Sequence, residues 1–473
     1  MRTLAVSLAL VLVAFSAAVS ARAVDDARVA TAAERQDWTT VRALVAAGED
    51  VTVVQKDGAS ALHWAVHWND LQTVSALIRA GANIDDVNDL GVPPLWIALD
   101  NGSAEVALHL IDVGADVNAR LLTGETMLMT AARNGLRTVV SRLIASGADV
   151  RLAEHEAGQT ALMWAAAGGH TNVVRLLAES GADIQSTSTG KFTALLFAAR
   201  AGDVESIRIL LDAGSDLEAR AIDGSTALLI ASRSTNALAG IDWRVVPFAG
   251  GHEETALFLL EQGADVTASD RVGRTAVHAA VETNRPELAR ALVGAGAEVN
   301  AKYTRRVPPL RGDYVSRYPF KGATPFWVAA RSANVEMMHA LLDAGADPFL
   351  ANESGTTPLM IASGVGDTDS RRAPDHRVVE AVSLLLEIGS DVSVVDESGG
   401  TALHGAASMW EDGVIQLLVD HGADINAEDG RGRTALYLVE YGRANAPSES
   451  TATLLRRLGA TEPVVENTCG FDR

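Results

Sequence analysis

The sequence predicts an all-α solenoid of about twelve helix-turn-helix units with β-hairpin loops between them, and three observations carry that reading. First, a glycine recurs at positions 48, 81, 114, 147, 181, 214, 263, 296, 345, 389, 422 and 459, with intervals of 33 or 34 wherever the period is unbroken. Second, the stretch ahead of each such glycine carries apolar residues at i, i+3 and i+4, one stripe of an amphipathic helix, as in Val414, Leu417 and Leu418. Third, outside the first unit a Thr, Ser or Pro opens a shorter Ala-rich helix about twenty residues before the glycine wherever no insertion intervenes, as Thr401 does for Leu403, Ala406 and Ala407. The glycine suits the left-handed C′ position, and the Asp, Asn, Ser and Gly that follow it suit a tight hairpin.

The openings at Ser60-Ala-Leu-His63, Thr275-Ala-Val-His278, Thr324-Pro-Phe-Trp327, Thr357-Pro-Leu-Met360 and Thr401-Ala-Leu-His404 are close to T-P-L-H, with looser versions from Pro93, Thr126, Thr160, Thr193, Thr226 and Thr434. With the 33-residue period, they make the chain resemble the ankyrin repeat family from about Val24 to Ala460. The resemblance implies a protein-binding array. It also implies that the opening histidine ties one unit to the next by hydrogen bonding, and that partner contacts fall on hairpin tips and first helices.

Composition agrees with stacked helices: 48% of residues are hydrophobic and only 5% aromatic. A formal net charge of −21 argues against nucleic acid or an anionic membrane as a general partner. The single cysteine, Cys469, excludes an internal disulfide.

From the N-terminus, Arg2, an uncharged run from Leu4 to Ala21 and the small-x-small Ala21-Arg22-Ala23 read as a secretory signal peptide over residues 1–23. The rival is an uncleaved membrane tether. The expected destination is the bacterial periplasm or the exterior, and cleavage would take the charge from −21 to −23 by removing Arg2 and Arg22. The array follows over 24–462, and a disordered tail over 463–473. The first unit lacks the hairpin and the Thr-capped opening, as a terminal cap should.

In the second unit, Leu62-His63-Trp64-Ala65-Val66-His67-Trp68 places two histidines at i, i+4. That spacing can ligate a metal, but no third ligand stands nearby and His63 is the opening histidine of its unit, so no metal is assigned. His67 and Trp68 stand where the resemblance puts a partner contact. The equivalent positions of later units hold Arg133, Arg200, Arg233 and Arg331, which read either as a ladder for an acidic partner or as exposed charge duplicated with the repeat.

Three insertions break the period. Two lie between the helices of a unit, near 234–252 and 364–375. The other enlarges a hairpin near 302–321 and carries Lys302, Arg305, Arg306, Arg311, Arg317 and Lys321 against Asp313, with Tyr303, Tyr314, Tyr318 and Phe320. Arginine and tyrosine are enriched at binding hot spots, so Arg305, Arg306, Tyr314 and Arg317 are its candidate contacts. Such a finger binds an acidic protein or glycan, or folds back on the chain's own acidic surface; the residues leave both open.

No nucleophile motif, phosphate loop, zinc motif or calcium loop is present, and the recurrent Gly-Ala-Asp carboxylates, Asp116 to Asp424, belong to the hairpins. The expectation is a non-enzymatic interaction scaffold without a cofactor. The alternative is an enzyme or small-molecule binder using a pocket formed by the insertions.

Overall fold

The computed structural model describes residues 27–233, 252–305, 321–365, 375–441 and 448–462. Within them lie twenty-four helices, which form twelve pairs. They fall into two compact units, one of Met1–Ala165 with Arg175–Asp183, the other of Ala166–Val174 with Ile184–Arg473.

The N-terminal unit runs α1 (Arg28–Glu34), α2 (Trp38–Ala46), α3 (Ala61–His67), α4 (Leu71–Arg79), α5 (Pro94–Asp100), α6 (Ala104–Asp112), α7 (Met127–Arg133) and α8 (Arg137–Ala145). First helices stack on first helices, α1 on α3 on α5 on α7, and second helices on second helices. The reason is local. The first helices are short and Ala-rich, and Leu62, Ala65 and Val66 are wholly buried between neighbours. The second helices offer a single apolar stripe, in α4 Val74 and Leu77. Helix α1 has no side-chain cap, whereas the Ser60 hydroxyl accepts from the His63 amide at the start of α3. Helix α5, opened by Pro93, likewise has no side-chain cap.

Helices α9 (Ala161–Ala167) and α10 (Thr171–Glu179) follow. The C-terminal unit continues with α11 (Ala194–Ala201), α12 (Val204–Asp212), α13 (Ala227–Ser232), α14 (Glu253–Glu261), α15 (Ala276–Glu282), α16 (Pro286–Gly294), α17 (Pro325–Arg331) and α18 (Val335–Asp343). It ends with α19 (Pro358–Ala362), α20 (Asp375–Glu387), α21 (Ala402–Met409), α22 (Asp412–Asp420), α23 (Ala435–Tyr441) and α24 (Glu449–Leu458). The stacking rule is the same, α11 on α13 through to α23.

The hairpins are fingers rather than strands. Among the described residues the only β-pairing is three isolated bridges, Arg120 with Thr126, Ala153 with Thr160 and Ser269 with Thr275. The repeat carboxylates shape their bases: Asp116, Asp149, Asp216, Asp265, Asp347, Asp391 and Asp424 each accept from the amide two residues on. They are structural, as the sequence predicts.

Backbone bonds then join successive finger tips. In the C-terminal unit six such rungs are made: Ile222 N–H to Gly190 O, Arg271 to Asp223, Thr304 to Val272, Glu353 to Lys321, Glu397 to Ser354 and Gly430 to Ser398. In the N-terminal unit Asp89 donates to Asp57 and His155 to Thr123, but among the described residues no backbone bond joins Leu122 to Leu90.

Each opening histidine supplies a second tie. The His63 Nδ1 accepts from the Ser60 amide at 3.1 Å, which places the proton on Nε2, and Nε2 donates to Val92 O at 3.0 Å in the next finger. His278 repeats this with Thr275 and Ala323 O, and His404 with Thr401 and Arg433 O. Trp327 performs the same task with an indole N–H to Thr356 O at 2.9 Å.

Candidate interaction face

The C-terminal ends of the first helices in the N-terminal unit carry a connected aromatic and polar face. Trp64 Nε1 donates to Gln55 Oε1 at 2.7 Å, and Trp68 Nε1 to Glu34 O at 3.2 Å. His67 lies between the two indoles, 5.9 Å from the Trp64 ring and 4.7 Å from that of Trp68, edge-on to both. Burial lowers the His67 imidazole below its ordinary range, so at neutral pH it is an uncharged part of the aromatic cluster. Trp68 keeps 40% of its surface exposed although its indole N–H is fixed, so a large side chain is presented with its orientation set.

Two repeats further on, Arg133 bonds Asp100 at 2.7 Å and Glu125 at 3.5 Å, and its guanidinium lies 5.0 Å over the Trp164 ring. Glu125 also accepts from Trp96 Nε1 and from the Thr130 hydroxyl. Sequence reasoning placed His67, Trp68 and Arg133 on this face and missed Trp64, Trp164, Asp100 and Glu125. The signal for Trp64 and Trp164 was present: both occupy the fifth position of their openings, counted from Ser60 and Thr160.

The rest of the arginine ladder is built differently. Arg200 is only 6% exposed and lies 4.9 Å over the Phe197 ring and 5.6 Å from that of Phe192. Arg233 is 5% exposed, donating to Ser225 Oγ at 2.9 Å with Asp223 and Asp270 at 3.4 and 3.8 Å. Both charges thus face the interior of the C-terminal unit, which corrects the expectation of an exposed ladder at these two positions. The cause lies in the fingers, where Phe192 of the same repeat meets Arg200 and Asp270 of the next repeat meets Arg233. Arg331, at the end of α17, is half-buried.

At the basic hairpin, Arg305 is exposed and its amide donates to Val272 O at 3.3 Å. Arg306, Tyr314 and Arg317 lie outside the described residues, as do residues 1–26, Trp243, Arg244 and Cys469. Tyr303, expected among the finger's aromatics, is buried: its hydroxyl donates to Glu282 Oε1 at 2.6 Å and accepts from Arg274 Nε at 3.3 Å. Its ring packs 4.3 Å from His278, whose imidazole burial pushes down to about 3. Tyr303 N–H to Ala323 O, Gly322 N–H to Tyr303 O and the Lys321–Glu353 ion pair close the base of the insertion.

The metal alternative at His63 fails on geometry, because both ring nitrogens are already engaged. Among the described residues no group of His, Cys, Asp and Glu is placed to hold a metal ion, and no helix is long and apolar enough to cross a membrane.

Comparison with known proteins agrees with this architecture. The family model "ankyrin repeats (3 copies)" matches residues 29–121, 119–188, 248–303 and 370–446, and the single "ankyrin repeat" model matches 191–222 and 321–353. These spans take in more than half of the chain, which therefore belongs to the ankyrin repeat family. Among individual proteins, the chain is similar to the mouse (Mus musculus) B-cell lymphoma 3 protein homolog, 32% identical over 113 residues, 24% of this chain and 22% of that protein. It is also similar to the bovine (Bos taurus) mitochondrial disaggregase, 33% identical over 121 residues, 21% of this chain and 18% of that one. The crystal structure of the human ASB11 ankyrin repeat domain aligns with a TM-score of 0.41 and 25% identity, over 50% of this chain and 96% of that one. The matches span no more than about a fifth of the first three curated relatives, at 22%, 6% and 18% of their lengths.

Proposed function

We propose that the protein is a non-enzymatic scaffold that binds a protein partner through the first-helix face of its N-terminal unit, with the basic hairpin insertion as a second contact. The single observation that carries this reading is Trp68, a large side chain held by its own hydrogen bond yet 40% exposed, beside His67 and Trp64. Rigid aromatic anchors of this kind supply binding energy without the entropy cost of ordering a flexible chain. Arg133 adds a charge whose orientation is set by Asp100 and Glu125. Residues 302–321 suit an acidic partner, and the closed base at Tyr303 and Ala323 supports their presentation from a fixed origin. The pattern over Met1 to Ala23 supports a periplasmic or secreted setting.

The test is affinity capture from envelope and culture fractions with the chain lacking residues 1–23. Parallel baits carry Trp68→Ala, or a short turn in place of 306–320. Trp68→Ala is expected to weaken retention of the specific partner by at least about tenfold, the loss of one hot-spot side chain. A partner held equally by all baits, each folded by circular dichroism, would sink the proposal.

A further inference from the structure

Two of the insertions in the C-terminal unit start from opposite ends of one buried line of charges. The insertion near 234–252 begins directly after Arg233, and His252 N–H closes its base on Ala231 O at 2.9 Å. The insertion near 302–321 has Tyr303 at its base. Between these two residues opposite charges alternate. Arg233 lies between Asp223 and Asp270, at 3.4 and 3.8 Å, and Arg274 between Asp270 and Glu282, at 3.5 and 3.2 Å. The Tyr303 hydroxyl ends the line, donating to Glu282 at 2.6 Å and accepting from Arg274 at 3.3 Å. The side chains of Arg233, Asp270 and Arg274 are 5%, 5% and 9% exposed, so breaking one pair leaves a buried charge uncompensated. The finger ahead of Thr434 shows what this register does without the line. There Asp429 and Arg433 take the places of Asp270 and Arg274, and the guanidinium closes on its local carboxylate, Nε at 2.8 Å and Nη2 at 2.6 Å. Arg274 instead stands 3.5 Å from Asp270 and points its Nε at Glu282 and Tyr303. A local ion pair has been opened into a longer connection.

We propose that this line is a coupling device: Asp223, Arg233, Asp270, Arg274, Glu282 and Tyr303 make the bases of the two insertions one cooperative element, so that a contact tightening either base also tightens the other. Coupling follows from shared partners, since Asp270 serves both arginines and Glu282 serves both Arg274 and Tyr303. Groups in one hydrogen-bonded ion network respond together, whereas separate pairs respond independently. The effect is reciprocal, because a free energy linking two places is the same read from either. It belongs to the free protein and needs no partner to be present.

Hydrogen exchange of the full chain, read by mass spectrometry over short peptides, tests the proposal. Asp223→Asn weakens the outer end of the line, where the carboxylate is 22% exposed. It is expected to speed exchange at the far base, where Tyr303 N–H bonds Ala323 O and Gly322 N–H bonds Tyr303 O, by at least about fivefold. In the reverse direction Tyr303→Phe keeps the ring and removes the hydroxyl. It should speed the Arg233 and His252 amides, bonded to Ile230 O and Ala231 O, by a similar factor. Peptides over 429–433 and over 61–100 should exchange as in the parent, which separates coupling from general loosening. The two substitutions together should speed either base by less than the product of their single effects. Glu282→Gln replaces Tyr303→Phe if that variant does not fold. The proposal is overturned if each variant speeds only its own base, if all peptides speed up alike, or if the effects of the two substitutions simply multiply.

Discussion

The two units use the same finger and join it differently. Six consecutive rungs link the tips of the C-terminal unit, and its basic insertion is closed at the base by Tyr303, Ala323 and Lys321. In the N-terminal unit the Leu90–Leu122 rung is absent, and apolar side chains stand exposed where a backbone bond would run. Repeat number and helix packing are indifferent to this, since nearest-neighbour burial of the first helices is alike in both. Finger tips are therefore bonded throughout one unit and left open at Leu122 in the other, and the contrast can be tested where the two arrangements differ in energy.

The largest difference should appear in acid. His278 carries its proton on Nε2 and holds Ala323 O at the root of the insertion, fully buried beside Tyr303 and within the field of Arg274. Its folded-state pKa of about 3 lies below the ordinary 6.5, so the unfolded chain takes up the proton first. The stability it contributes is complete above pH 6.5 and is lost as the pH falls toward 3, roughly 5 kcal/mol in total. The urea midpoint of the wild-type chain should fall steeply across that window. In His278→Gln, which can still donate to Ala323 O, it should fall much less; equal slopes would break the account.

A smaller effect separates the tips themselves. Gly322 and Gly91 both have φ near +80°, at 81° and 74°, so alanine strains the backbone at each. At Gly322 the added methyl would also stand 2.5 Å from the Glu353 amide that makes a rung, so Gly322→Ala should cost about 3 kcal/mol. At Gly91 the nearest atom is the Leu122 side chain at 3.4 Å, which can swing into solvent, and Gly91→Ala should cost only about 1 kcal/mol. Denaturant unfolding of the two variants checks the ordering, and similar losses would mean that the gap is no looser than the rungs.

Fold was legible in the sequence because its determinants are local and repeated. A glycine every 33 residues, a hydroxyl cap and an Ala-rich first helix each act within a few residues, and twelve copies average out the exceptions. The candidate site was legible only in part. Trp68 and His67 were found from their place at a helix end, which a single repeat defines. Arg200 and Arg233 occupy the same register but are buried: Arg200 lies over Phe192 and Phe197 of its own repeat, and Asp270 reaches Arg233 from the next finger, an approach no single repeat encodes. Tyr303 read as part of a presented finger since it follows Lys302, yet its environment is set by Arg274 and Glu282. The missing Leu90–Leu122 rung was invisible for a different reason: a missing backbone bond leaves no mark on composition.

The histidine ties also give the array a reading direction. In each, the imidazole belongs to the earlier repeat and the carbonyl to the later one, from His63 to Val92, His278 to Ala323 and His404 to Arg433. Such a link cannot be reversed, so the two sides of a repeat have unequal obligations. Each repeat that carries such a histidine must offer a donor, and each that follows it an acceptor carbonyl. In the repeat opened by Thr434, Tyr437 stands in the histidine's place. Adding or removing a repeat within the array leaves that grammar intact, which is how one short sentence can be lengthened without being rewritten.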